Sequence, residues 1–138
     1  MKKTFILMAL ATLIFSCGQK KKEGVAVDLS NKGVGPIKAV AFGEVINTEM
    51  ASKGEEMFKA ICSACHMANQ RMIGPALSGI YERRSPEWVM NMIINPGVMI
   101  QEDPSAKALF KEYNDVNMLN QNLNEDEVRA LAEYLRTL

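Results

Sequence analysis

The chain is poor in the residues that build metal clusters and crosslinks, with three cysteines and one histidine among 138 residues. A structural zinc site needs four ligands, and Cys17 belongs to the amino-terminal signal described below, so too few remain. Acidic and basic residues are equal in number, 16 of each, but five of the basic residues lie in the first 22 positions. The rest of the chain is therefore mildly acidic, which argues against a nucleic-acid partner.

The apolar run at residues 4–15 is too short to cross a bilayer as a helix, which takes about 20 residues. It follows Lys2 and Lys3 and is typical of a signal-peptide core. The run ends in Ile-Phe-Ser-Cys at residues 14–17, which resembles a bacterial lipobox. The resemblance implies that residues 1–16 are removed and that Cys17 becomes a lipidated first residue. The alternatives are a plain signal peptide cut nearby or an uncleaved anchor.

Residues 17–47 show weak periodicity and are punctuated by glycine. We expect residues 18–35 to be a flexible tether between the lipidated cysteine and a domain. Three lysines at residues 20–22 would either attract anionic lipid or form a solvated charge cluster. Residues 36–46 are more apolar, and we expect them to lie as a strap on the surface of a domain that spans residues 48–138.

Residues 62–66, Cys-Ser-Ala-Cys-His, have the spacing of a c-type haem attachment site. Cys62 and Cys65 would form thioether bonds to the porphyrin vinyl groups, and His66 would bind the iron as proximal ligand. A thioredoxin-like pair also has this cysteine spacing, but it expects a βαβ context that the sequence does not show. Haem c is attached outside the cytoplasm, so the motif agrees with the export signal. With all three cysteines assigned, no structural disulfide is expected.

The single histidine excludes two histidine ligands to the iron from one chain. Eight methionines follow the signal segment, and most lie at helical spacings typical of a core. A sixth ligand must come from the face opposite His66, normally from a loop well after the motif. The residues alone leave Met99, Met118 and an open or water-filled position as candidates.

Four segments carry helix-start signals followed by apolar residues at helical spacing. These signals are Thr48 or Ser52, Ser85 with Pro86, Asp103 with Pro104, and Asn124 with Glu127. The Asn-Pro-Gly sequence at residues 95–97 is predicted to end the second helix. No domain segment alternates as a strand would, so we predict an all-α fold. It would have three to five helices and long loops around one covalently bound haem, which replaces much of a protein core.

The segment from residue 58 to His66, the Gly-Pro-Ala-Leu sequence at residues 74–77 and a methionine loop before the last helix resemble the bacterial class I c-type cytochromes. The resemblance covers residues 48–138. It implies that Met118, five residues before Leu123, is the sixth iron ligand. It also implies that the Pro75 carbonyl accepts the second ring N–H of His66.

The same resemblance implies that Gly54 and Phe58 pack against Tyr134 where the first and last helices cross. The family often has proline directly after the ligand methionine, whereas this chain has Leu119, which predicts a less rigid loop and more labile ligation. Four further side chains are candidate hydrogen-bond donors to the haem propionates, with a core aromatic or a solvated charge as the alternative. They are Trp88, Tyr81, Arg83 and Arg84.

A haem bound by both His and Met has no free position for a substrate, so we expect a one-electron carrier and not an enzyme. The resemblance implies transfer from a membrane quinol-oxidising complex to a haem–copper oxidase or a periplasmic reductase. The protein would then be lipid-anchored on the periplasmic side of a bacterial membrane. The alternatives are a haem-based ligand sensor or peroxidase-like protein with a labile sixth ligand, and a permanent redox subunit of a larger enzyme.

Overall fold

A computed structural model describes residues 27–138, and within them five α-helices and no strand are present. The helices are Thr48–Met57 (α1), Pro86–Ile94 (α2), Pro96–Glu102 (α3), Pro104–Glu112 (α4) and Glu125–Leu135 (α5). The prediction of an all-α fold is confirmed. Between residues 27 and 138, none of the helices has the length and apolarity required to cross a bilayer. The expectations for the signal peptide and Cys17 fall outside the described residues.

The first and last helices cross at Gly54. A Cβ atom at this position would lie 2.1 Å from the carbonyl oxygen of Ala130 and 2.8 Å from Cβ of Tyr134. The Phe58 ring follows one turn later, with its centroid 5.3 Å from that of Tyr134. The expected packing of Gly54 and Phe58 on Tyr134 is therefore confirmed. The glycine is required because the two helix backbones approach more closely than any side chain allows.

Helix α1 starts at Thr48, because the Asn47 side chain accepts a hydrogen bond from the backbone N–H of Met50. Of the two predicted starts, the earlier one is correct. At its carboxyl end α1 widens into a π-helical turn, Phe58–Cys62, in which the N–H of Ser63 donates to the carbonyl of Phe58 at 2.9 Å. Such turns are frequent at functional sites.

Helices α2, α3 and α4 each begin with a capping side chain followed by proline. The capping residues are Ser85, Asn95 and Asp103, each of which accepts a backbone N–H three residues later. The prediction that residues 95–97 end the second helix is confirmed, and the structure adds that Asn95 caps the start of α3, a helix that was not predicted. Proline at the first helical position loses no hydrogen bond, so it begins a helix as readily as it ends the previous one.

Residues 31–46 lie along the outside of α2, α3 and α5, and we call them the strap. Its core contact is Ile37, which packs with Met90 and Val128. The expected tether through residue 35 is too long, because Gly33 touches the Met99 side chain and Gly35 touches Asn91. Glycine is needed at both positions, since a Cβ would lie 2.6 Å and 2.2 Å from those side chains.

Polar groups fix the strap at two further places. The Asn91 side chain, 1% exposed, accepts from the backbone N–H of Ile37 and donates to the carbonyls of Ile37 and Lys32. At the other end, the buried Glu133 carboxylate accepts the backbone N–H of Asn47 and binds Arg129 and Arg136. The strap is thus part of the folded domain.

Candidate haem site

The haem attachment motif sits on a single turn that follows the π-helical segment. The carbonyl oxygen of Cys62 accepts the N–H groups of Cys65 and His66 at 3.1 and 3.0 Å, which closes the turn. Cys62 is half-buried and Cys65 is exposed, and the two are not joined in a disulfide. The turn therefore presents both sulfur atoms and the imidazole from one short piece of backbone.

The Cys62 thiol does not have the electrostatics of a redox-active cysteine. Burial raises the pKa of the Cys62 thiol to about 11, and the neighbouring Cys65 adds to the shift. Redox-active pairs depress the pKa of one cysteine so that a thiolate forms near neutral pH. The Cys62 thiol would be protonated there, so the structure disfavours the thioredoxin-like interpretation.

The His66 ring is oriented by the loop that follows it. Its Nδ1 atom lies 3.0 Å from the carbonyl oxygen of Pro75, as the resemblance implied. This contact assigns the ring proton to Nδ1 and leaves Nε2 free to bind a metal. The ring also lies directly against Gly74, where a Cβ atom would come within 2.3 Å of Cε1.

The loop behind the Pro75 carbonyl is held by Arg83. Its guanidinium donates to the carbonyls of Ala76, Ser78 and Gly79 at 2.9–3.2 Å. The arginine therefore fixes the loop that carries the acceptor for His66. The structure thus shows Arg83 in three hydrogen bonds to backbone carbonyls, and its propionate role stays a prediction.

The other predicted propionate donors are also engaged within the protein. The indole N–H of Trp88 donates to Asp103 at 2.9 Å, and Trp88 is only 3% exposed. The hydroxyl of Tyr81 donates to the carbonyl of Ala132, and Arg84 donates to the carbonyl of Arg83. The one indole N–H of Trp88 is thus used within the protein, and its ring lies in the hydrophobic core.

The two methionine candidates occupy different environments. Met99 lies inside α3 and not in a loop, is fully buried, and its Sδ accepts the backbone N–H of Val34 at 3.0 Å. Met118 is half-buried in the irregular segment between α4 and α5. That segment starts at Asn114 and Asp115, which both have positive φ angles, and a third positive φ occurs at Asn122.

The surroundings of the motif fit a large apolar cofactor. Six exposed large apolar side chains belong to the segments that carry His66 and Met118: Ile61, Met67, Met72, Ile73, Val116 and Leu119. Exposed apolar residues concentrated in this way mark a binding surface. The two unpaired cysteines, the oriented imidazole and these exposed apolar side chains together match what a covalently attached haem requires.

Sequence reasoning missed two polar residues with structural roles, Asn91, which holds the strap, and Arg71, which follows the haem motif. The sequence indicates a special role for Asn91, because it is the one polar residue in the sequence Trp-Val-Met-Asn-Met-Ile-Ile at residues 88–94. No such indication exists for Arg71. Its guanidinium bonds to the carboxylate and the carbonyl oxygen of Glu112, 41 positions away, and local patterns cannot reveal such a pair.

Comparison with known proteins agrees with this site. The sequence profile of the family described as "Cytochrome c" matches residues 51–138. A cytochrome c2 from Rhodopseudomonas palustris is 28% identical over 112 residues, which are 64% of this chain and 97% of that protein. The site and fold define a haem-attaching helical domain. The chain belongs to the cytochrome c family.

Two solved cytochrome c structures are also similar to this chain. A cytochrome c from Rhodothermus marinus is 44% identical, superimposes with a TM-score of 0.72, and the match covers 75% of this chain and 88% of that one. The cytochrome c domain of a Pseudomonas putida protein is 36% identical with a TM-score of 0.56, covering 61% of this chain and 85% of that one. The chain therefore carries one covalent haem c and is an electron carrier of the cytochrome c type.

Proposed function

We propose that this protein is a monohaem electron carrier with His66 and Met118 as the axial ligands of its haem. The haem supplies a one-electron iron couple. The observation that carries the proposal is the contact of His66 Nδ1 with the Pro75 carbonyl, which fixes the ring with Nε2 free. Cys62 and Cys65 hold the porphyrin covalently, so the carrier keeps its cofactor while it moves between partners.

The choice of Met118 is supported by the environment of its rival. The Met99 sulfur already accepts the Val34 N–H and lies at the centre of a packed cluster with Trp88, so binding iron would disrupt α3 and the strap. Met118 lies in a segment without regular structure, where the backbone is able to bring the sulfur to the iron.

Two variants test the ligand assignment. Met118→Ala should abolish the far-red methionine–iron charge-transfer band and lower the reduction potential, because a thioether ligand favours the reduced iron. Met99→Ala should keep the band and lower the unfolding midpoint, since it empties a packed site. The opposite result would transfer the ligand role to Met99. Rapid carbon monoxide binding by the reduced native protein would favour a sensor or peroxidase-like function.

We extend the proposal to the partners and the location. The carrier would accept electrons from a membrane quinol-oxidising complex and deliver them to a haem–copper oxidase or a periplasmic reductase. The signal at residues 1–16 and the lipobox cysteine support an exported protein anchored by Cys17. Cys17→Ala should move the haem-loaded protein from the membrane fraction to the soluble periplasmic fraction. Unchanged membrane association would exclude the lipid anchor.

A further inference from the structure

Arg71 joins the loop after the haem motif to the start of the methionine loop. Its Nη1 donates to the Glu112 carboxylate at 3.0 Å, and its Nη2 donates to the Glu112 carbonyl at 2.7 Å. The guanidinium also lies over the Tyr113 ring, 3.8 Å from the ring centroid. One side chain therefore makes three contacts with the last residue of α4 and the residue after it.

The geometry of this contact is specific to arginine. Both side chains are about half exposed, so charge attraction alone contributes little. A planar guanidinium can donate two hydrogen bonds from its edge while its face covers an aromatic ring, which a lysine ammonium cannot do. It also satisfies the Glu112 carbonyl, one of the groups that a helix end leaves without an intrahelical partner.

The contact lies where the methionine loop leaves α4. Tyr113 closes the helix, and Asn114 and Asp115 then adopt φ angles of 58° and 57°. The left-handed region is costly for residues other than glycine, although Asn and Asp tolerate it best, so this turn depends on its surroundings. The Asp115 N–H donates back to the Phe110 carbonyl at 3.0 Å, which ties the turn to α4.

Arg71 lies between His66 and Pro75 along the chain, on the loop that carries the proximal side of the site. The N–H of Gly74 donates to the carbonyl of Cys65 at 2.9 Å, so this loop is itself fixed to the haem motif. A bond from this loop to Glu112 therefore links the backbone of the proximal ligand to the origin of the segment that carries Met118. Displacement of Met118 from the iron requires that segment to move away.

We propose that Arg71 is a positioning residue that holds the methionine loop closed and so slows dissociation of the Met118 ligand. The proposal rests on the assignment of Met118 as sixth ligand. The contact between Arg71 and Glu112 would also support the methionine loop in this chain, which has Leu119 where the family often has proline after the ligand methionine. The contact would break whenever the loop opens, so its loss should raise the population of the open form.

The test measures the rate at which imidazole displaces the methionine ligand from the oxidised, haem-loaded protein. Arg71→Gln should accelerate this exchange about fivefold or more, the combined effect expected from one ion pair and one cation–π contact. Arg71→Lys should show an intermediate rate, because it keeps the charge and loses the paired donors. Lys53→Gln is the control, since it removes an exposed ion pair with Glu49 on α1, away from the loop.

Two further measurements make the result decisive. The unfolding midpoint of each variant separates loop opening from general destabilisation, because a merely structural role would lower the midpoint without changing the exchange rate. Met118→Ala in the same series reports on the ligand itself, and persistence of its far-red band would overturn the ligand assignment and this proposal with it. If that band is lost, an Arg71→Gln exchange rate equal to that of Lys53→Gln would overturn the positioning role alone.

Discussion

The Nδ1 atom of His66 lies 3.0 Å from the carbonyl oxygen of Pro75, and Gly74 lies directly against the same ring. These two contacts act together, since the carbonyl sets the rotation of the ring and the glycine leaves room for it. A side chain at position 74 would therefore displace the His66 ring, so this position requires glycine. The orientation of the His66 imidazole depends on these two consecutive backbone positions.

Gly74→Ala should displace the His66 ring. The new Cβ would lie 2.3 Å from Cε1 and 2.7 Å from Nδ1, so the ring must turn away from Pro75 or the loop must move. We expect a changed reduction potential and a lower unfolding midpoint of the haem-loaded protein, measured by redox titration and thermal melting. Gly43→Ala is the matched control, because its nearest neighbour is the Val45 carbonyl at 3.4 Å. Equal behaviour of the two variants would contradict this role of Gly74.

Gly54→Ala should destabilise the protein although alanine is the better helix former. The helix gains about 1 kcal/mol from the substitution, but a Cβ only 2.1 Å from the Ala130 carbonyl oxygen overpacks the crossing with α5, which costs about 3 kcal/mol or more. We expect a net loss of about 2 kcal/mol or more in the free energy of unfolding, measured by denaturant titration. Gly97→Ala in α3, where nothing lies within 4 Å of the new Cβ, should be neutral or stabilising. If both substitutions stabilised the protein, α1 and α5 would have moved apart at Gly54 with little cost, which would contradict the prediction.

Asn91→Ala should loosen the strap. The substitution leaves the N–H and carbonyl of Ile37 and the carbonyl of Lys32 without their partner, and buried unpaired groups cost about 2–4 kcal/mol together. Trypsin should then cut faster at Lys32 and Lys38, as followed by mass spectrometry. Gln101→Ala, an exposed residue of α3, is the control and should leave the cleavage rate unchanged. Unaltered cleavage in Asn91→Ala would mean that Ile37 alone holds the strap.

Acidification should weaken the clamp at Glu133. Burial raises the pKa of this carboxyl, but hydrogen bonds from Asn47, Arg129 and Arg136 outweigh burial, so its pKa lies below the ordinary 4.5. A group whose pKa is lowered by folding contributes stability above its unfolded pKa and loses it as the pH falls through the folded value. Glu133→Gln should therefore be less stable than the native protein at pH 7, and the difference should shrink below pH 4.5. Parallel stability curves from pH 7 to pH 3 would exclude the linkage.

The helix starts show how far local sequence information reaches. Ser85, Asp103 and Asn124 cap helices where the sequence predicted them, because a cap is a contact between residues three positions apart. Asn95 has the same kind of cap, but its local sequence predicts the end of α2 and not the start of α3. A proline that follows a capping residue is compatible with either interpretation, and only the packing of Met99 and Pro96 in the interior makes α3 form.

The sequence by itself predicted haem attachment at Cys62 and Cys65 with His66 as a ligand, and it determined the all-α class, since each depends on residues close together in the chain. Only the tertiary structure decided that Trp88 donates to Asp103, that the Met99 sulfur binds the strap, and that Arg71 reaches Glu112. Two of these three pairs join residues more than 40 positions apart, and all three depend on how the elements pack. Such contacts form only after the helices and the strap have assembled, so no local pattern in the chain specifies them.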